Sequence, residues 1–174
     1  LSLVGSEMCI RDRDVTKLII NVNNSGITGK QLGDILRYKY NIEVEMDSLK
    51  YVLGITTICD DYKELERLAE ALKEIDKSLE EKQNENISVE LLKNKRMYSI
   101  YETDLKEKNT VNLFDSKDCI SGEFVFLYPP GIPLVVPGEV ITEELLEQIK
   151  VYLEANMNIS GLKDNSNKTI EVVK

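Results

Sequence analysis

A chain of 174 residues with 42% hydrophobic and 30% charged residues reads as one medium or two small globular domains, able to bury roughly two-thirds of the unfolded chain's surface. Its net charge of −9, from 31 acidic against 22 basic residues, has the wrong sign for a polyanion, and no apolar run approaches the roughly 20 residues that span a bilayer, so neither nucleic acid nor membrane is expected as a partner. The absence of histidine excludes Ser-His-Asp and Cys-His catalysis and most zinc sites.

Residues 1–13, LSLVGSEMCIRDR, lack the basic start and long apolar core of a signal peptide. Back-translation of Leu3 to Asp12 allows CTC GTG GGC TCG GAG ATG TGT ATA AGA GAC, which resembles a transposase adapter used in sequencing libraries and fits a metagenomic source. We expect this stretch to be foreign, the natural frame to extend upstream of Asp14, and Cys9 to carry no meaning. Cys9, Cys59 and Cys119 are odd in number and far apart, so buried free thiols in the cytoplasm are expected.

KLIINV, from Lys17 to Val22, predicts a strand. Thr28 is a candidate N-cap for a helix to about Tyr40, with Leu32, Ile35 and Leu36 as its buried stripe. IEVEM, Ile42 to Met46, alternates like a half-exposed strand, and LKYVLGITTI, Leu49 to Ile58, predicts a third strand. Glu43, Glu45 and Asp47 share a face under this reading, but without a His or Cys partner they suggest a solvated surface and no metal site. Asp60 or Asp61 caps a long helix carrying Leu65, Leu68, Ala69, Leu72, Ile75 and Leu79. The expected fold is α/β, an α+β sandwich with a mixed sheet and helices on one face.

The domain organisation expected is a β-α-β-β-α unit over residues 14–80, a linker and mixed segment over 81–118, a C-terminal segment over 119–164 and a tail over 165–174, loose apart from its IEVV end. EFVFLY, Glu123 to Tyr128, predicts a strand buried on both faces. All four prolines lie in PPGIPLVVP, Pro129 to Pro137. Proline fixes φ and restrains its predecessor, so this segment reads as a stiff extended connector unable to act as a central strand. Thr142 caps a helix to about Ala155.

The block GEFVFLYPPGIPLVVPGEVIT closely resembles the C-terminal signature of the bacterial Orn/Lys/Arg decarboxylases. The block from Lys17 to Asp61 and NISGLKD at Asn158 to Asp164 are similar to other parts of the same family. The motif positions are Pro129, Pro130, Gly131, Ile132, Pro133, Pro137, Gly138 and Glu139. The resemblance implies small C-terminal domains of an enzyme of the aspartate aminotransferase fold, with pyridoxal phosphate held on a lysine of another domain, an amino-acid substrate, a polyamine or polyamine precursor as product, and a homo-oligomer when intact. In the family that lysine follows a histidine, so no lysine here is assigned the role. No catalytic, cofactor-binding or metal-binding residue is expected in this chain, and by itself it is expected to be inactive.

Glu123 matches the family's acidic position before YPPG and is the residue expected to face the cationic end of the substrate, through a charge-assisted hydrogen bond worth about 1.5–3 kcal/mol, a solvent-exposed or packing Glu at a strand start being its plainer role. Tyr128 is the second substrate-proximal candidate, packing at the domain junction being its plainer role. For Glu139, just before a helix, a structural role is natural. Two other functions stay open: a free-standing regulator derived from the enzyme's C-terminal region, and a small α/β ligand-binding module over residues 14 to 80.

Overall fold

A computed structural model describes residues 2–3, 14–79 and 92–174. The chain divides into two units, Leu1–Ile87 and Ser88–Lys174. The rest of the adapter-like stretch, residue 80 at the end of the expected first domain and residues 81–91 of the expected linker lie outside the described residues.

In the first unit, strands β1 (Ser2–Leu3), β2 (Lys17–Asn21), β3 (Met46–Asp47) and β4 (Tyr51–Ile55) form a sheet in the order β1-β2-β4-β3. Helices α1 (Gly29–Tyr40) and α2 (Tyr62–Ser78) bury Leu32, Leu36, Ala71 and Ile75 with Ile20, Val22 and Val52. Thr28 caps α1 reciprocally: its hydroxyl accepts from the Gln31 amide at 3.1 Å while the Gln31 side chain accepts from the Thr28 amide at 2.8 Å. Asp61 caps α2, accepting from the Glu64 amide at 3.1 Å.

Several expectations need correction. The sheets pair antiparallel in every ladder described, where a mixed sheet was expected. Ile42 and Val44 pack against the core without joining a ladder, and only Met46–Asp47 pairs with β4. The third strand stops at Ile55, and Ile58 is fully exposed. Ala69 is exposed and Leu65 only partly covered, at 40% exposure, because the buried stripe of α2 centres on Ala71 and Ile75. Cys59, expected to be buried, is exposed in the turn between β4 and α2, while Cys119 is partly buried.

The second unit holds α3 (Ile100–Asp104), β5 (Lys108–Asn112), β6 (Val125–Leu127), β7 (Ile132–Val135), α4 (Glu143–Glu154), β8 (Ile159–Ser160) and β9 (Thr169–Val173). β6 lies between β7 and β8, and β5 pairs with β9 from Lys108↔Val173 to Asn112↔Thr169. Leu145, Leu146, Ile149 and Tyr152 of α4 are buried, as are Val125 and Leu127 on β6 and Ile170 and Val172 on β9. The division expected at 81–118 and 165–174 therefore differs from the structure, where a strand from each segment forms one two-stranded sheet. EFVFLY is not buried on both faces: Val125 and Leu127 point inward while Phe124 and Tyr128 are exposed. Among the described residues no helix is long and apolar enough to cross a membrane.

Candidate functional site

The proline segment folds as a hairpin, not a bare connector. Ile132–Val135 pairs with β6 as an edge strand, where Pro133 costs no interior ladder bond. Tyr128, Pro129, Pro130 and Gly131 make the turn, closed by the Gly131 amide donating to the Leu127 carbonyl at 2.9 Å. Gly131 has φ +106°. This tip projects outward: Tyr128 is 54% exposed, Ile132 is 38% exposed, and Pro130 and Pro133 are exposed with them. The Tyr128 amide donates to the Asn158 carbonyl at 3.0 Å, tying the tip to the approach of β8.

The other end of the motif is a buried clamp. Gly138 has φ +92°, and a Cβ there would lie 2.2 Å from the Tyr98 carbonyl oxygen, so only glycine fits without displacing backbone. Its carbonyl accepts from the amides of Met97 at 2.8 Å and Tyr98 at 3.2 Å, and its amide donates to Ser121 at 2.8 Å. The Glu139 carboxylate accepts from the Val136 amide at 3.2 Å and the Asn94 side-chain amide at 3.3 Å, and lies 4.0 Å from the Arg96 guanidinium. Asn94 also donates to the Leu134 carbonyl at 2.7 Å. Glu139 thus holds the end of the crossing segment against residues 94–96, partners that local sequence did not suggest and that lie away from the helix N-terminus where its role was expected.

Glu123 sits between these features and is only 6% exposed. One carboxylate oxygen accepts from the Lys163 amide at 3.0 Å and the other from the Glu171 amide at 2.8 Å. The Lys163 ammonium, 2.7 Å from the Glu171 carboxylate, is held above its ordinary range chiefly by that hydrogen bond. Glu123 therefore joins the segment leading into β6 both to the turn before β9, at Lys163, and to β9 itself, at Glu171. Each oxygen keeps a further lone pair, the only capacity left for a ligand donor.

An open cleft of about 650 Å³ has Gly122, Glu123, Phe124, Pro137, Gly161 and Lys163 on its walls, all within or beside the quoted motif blocks. Ile100, Tyr101 and Asp104 of α3 and Lys108 of β5 line it as well. Asp104 and Lys108 pair at 3.5 Å. Tyr101 is 74% exposed and Phe124 43%, which gives the cleft an aromatic rim. The structure thus places Glu123 at the cleft, Tyr128 at the hairpin tip and Glu139 in the clamp. Sequence reasoning missed Tyr101, Lys108 and Lys163, whose only signal was the proximity of Lys163 to Gly161 in the closing turn.

No group of three His, Cys, Asp or Glu residues able to hold a metal occurs among the described residues. Glu43 is exposed and pairs with Arg37 at 2.8 Å, whereas Asp47 is mostly buried 3.8 Å from Lys30. The shared face expected of Glu43, Glu45 and Asp47 does not form, because the strand there is only Met46–Asp47.

These geometries coincide with a family match. Residues 80–165 match the family model described as Orn/Lys/Arg decarboxylase, C-terminal domain, and the cleft, clamp and hairpin walls just described fall almost wholly within them. The chain belongs to the Orn/Lys/Arg decarboxylase family and carries its C-terminal domain. The arginine decarboxylase of Bacillus subtilis strain 168 is 38% identical over 178 residues, covering 98% of this chain and 36% of that protein. The arginine decarboxylase of Bacillus anthracis is 33% identical over 177 residues, with the same coverage of 98% and 36%. Among solved structures, the constitutive lysine decarboxylase of E. coli superposes with a TM-score of 0.70 at 17% identity over 92% of this chain and 32% of that one. The lysine decarboxylase of Francisella novicida gives 0.68 at 19% identity, over 92% and 31%. At that identity the likeness concerns fold: an α+β chain matching the C-terminal part of lysine decarboxylases. The chain spans about a third of the length of the family members it matches.

Pyridoxal phosphate, which the family resemblance implies, needs a lysine held neutral by burial or neighbouring cations. Five of the described lysines do not fit. Lys30 lies 2.6 Å from Asp34 and Lys108 pairs with Asp104. Lys117 and Lys163 are shifted upward by hydrogen bonds to Glu143 and Glu171, and Lys39 by Tyr40 and Glu74. The upward shifts of Lys39, Lys117 and Lys163 favour a protonated amine, the reverse of what an imine-forming lysine requires.

Proposed function

We propose that this chain serves as the C-terminal part of a pyridoxal-phosphate-dependent decarboxylase, a carbon-carbon lyase, acting on arginine, lysine or ornithine, with the cofactor held by sequence that this chain does not contain. The observation that carries the proposal is the cleft built from family-motif residues, with the buried Glu123 carboxylate in its wall. Its carboxylate and the Tyr101 and Phe124 rings suit a guanidinium or ammonium on an aliphatic stem, by charge-assisted hydrogen bonding and cation–π contact. Tyr128, on the exposed hairpin tip, is placed to pack where the cofactor-bearing part closes over the substrate. Loss of the α-carboxylate from such substrates leaves an amine, so the enzyme belongs to polyamine formation, as a cytoplasmic homo-oligomer. The free thiols of Cys59 and Cys119 suit that reducing compartment.

Two measurements test this reading. Residues 14–174 grafted in place of the matching C-terminal third of the Bacillus subtilis arginine decarboxylase should support carbon dioxide release from at least one of the three amino acids. A folded graft inactive on all three refutes the assignment. Borohydride treatment of this chain with pyridoxal phosphate should give no stoichiometric adduct at a single lysine, and such an adduct would show that the cofactor site lies here after all.

A further inference from the structure

A separate cavity of about 190 Å³ lies within the first unit, between the helix-facing side of the sheet, α2 and the segment that follows α1. It exceeds the roughly 150 Å³ that suffices for a benzene-sized guest. Leu18 and Gly54 form its floor, directly opposite one another in the β2–β4 register, and Ile42, Leu65 and Leu68 form aliphatic walls. Gly54 shares its face with the fully buried Val52.

Nothing in the backbone requires glycine at position 54. Its φ lies outside the left-handed region, and an added Cβ would meet only the Cβ and carbonyl oxygen of Leu18 at 3.9 Å, an ordinary contact. Glycine weakens a strand interior where a β-branched residue would strengthen it, and one that sterics do not demand marks a place where another group approaches the backbone.

The cavity's charged lining selects the guest. Glu43, Asp60 and Glu64 stand against a single cation, Arg67. Glu43 is tied to Arg37, and the Arg67 guanidinium reaches the Asn41 carbonyl at 3.5 Å. At the mouth Glu64 is an exposed carboxylate, and Asp60, also exposed, accepts from the Thr57 amide at 2.6 Å through one oxygen and presents the other. We propose that this cavity binds a short aliphatic primary ammonium ion, its chain over Leu18, Leu68 and the open face of Gly54, and its head at Asp60 and Glu64. The proposal rests on the first unit alone and is independent of the decarboxylase reading.

Amide NMR of the full chain titrated with n-butylammonium chloride, at constant ionic strength, tests it. Saturable shifts are expected at Gly54, Thr56 and Leu68, with none from n-butyrate. Gly54→Val, which fills the floor, should weaken binding about tenfold. Glu64→Gln, at an exposed helix position that leaves the fold intact, should weaken it about threefold. Absence of saturable shifts, equal response to butyrate, or undiminished binding in either variant overturns the proposal. Should Gly54→Val fail to fold, Glu64→Gln and the butyrate comparison decide the matter.

Discussion

Replacing Glu123 by glutamine separates a bracing role from a substrate-binding one. The carboxylate accepts from the amides of Lys163 at 3.0 Å and Glu171 at 2.8 Å. Glutamine keeps one acceptor oxygen and turns an NH₂ group toward the other main-chain donor. The retained bond falls from charge-assisted to neutral, a loss of about 1 kcal/mol, and the lost bond strands a part-buried amide at about 1–3 kcal/mol. Together Glu123→Gln should cost about 2–4 kcal/mol, which lowers amide-exchange protection about 30-fold or more at Lys163 and Glu171. Hydrogen exchange followed by NMR reads both amides directly. Unchanged protection at both would refute the bracing argument. In the grafted decarboxylase, a KM increase for the basic amino acid without loss of protection would instead favour direct contact between Glu123 and substrate, the role expected from the family position.

Other predictions follow from strain and titration. Gly138→Ala should cost about 2–4 kcal/mol in denaturant unfolding, since it adds a backbone clash to an unfavourable φ, whereas Gly131→Ala should cost about 1–2 kcal/mol. Gly131 has nothing within 4 Å of an added Cβ, so equal losses would remove the clash from the argument. Burial raises the Asp47 carboxyl above its ordinary 3.8, with Lys30 opposing. The folded state then binds that proton more tightly, and ionised Asp47 costs stability above its folded pKa. Asp47→Asn should therefore raise Tm at neutral pH, with the gain vanishing as pH falls below 3.8. Asp164 is the opposite case: hydrogen bonds from the Ser166 hydroxyl and amide, and from Thr169 and Lys168, hold it far below 3.8. Its contribution is complete above 3.8 and is lost as pH falls through the depressed folded value. Asp164→Ala should lower Tm at neutral pH and converge on the parent in acid, as a Tm-against-pH series would show.

The elements legible in the sequence are those whose determinants are local. Thr28 and Gln31 specify the start of α1, Thr142 the start of α4, and Leu145, Leu146 and Ile149 its buried side. Within a helix, cap and stripe lie a few residues apart, so spacing alone reveals them. The alternation at Ile42 and Val44 misled because burying two aliphatic side chains needs only the right face, and these residues reach the core from an unpaired segment. Lys108–Asn112 carries no strand signal, since it pairs with β9 across a separation that no local pattern spans.

The same reasoning explains why the site was only partly legible. The family position pointed to Glu123, but its partners are main-chain amides 40 and 48 residues away. Any residue except proline presents such a donor, so the partners leave no mark in composition or motif. Side-chain chemistry shows in a sequence only when both partners are side chains, as with Lys163 and Glu171. A carboxylate that braces backbone therefore looks, in sequence, like one waiting for a cationic substrate. The exchange behaviour of the two amides it holds is the observable that tells these roles apart.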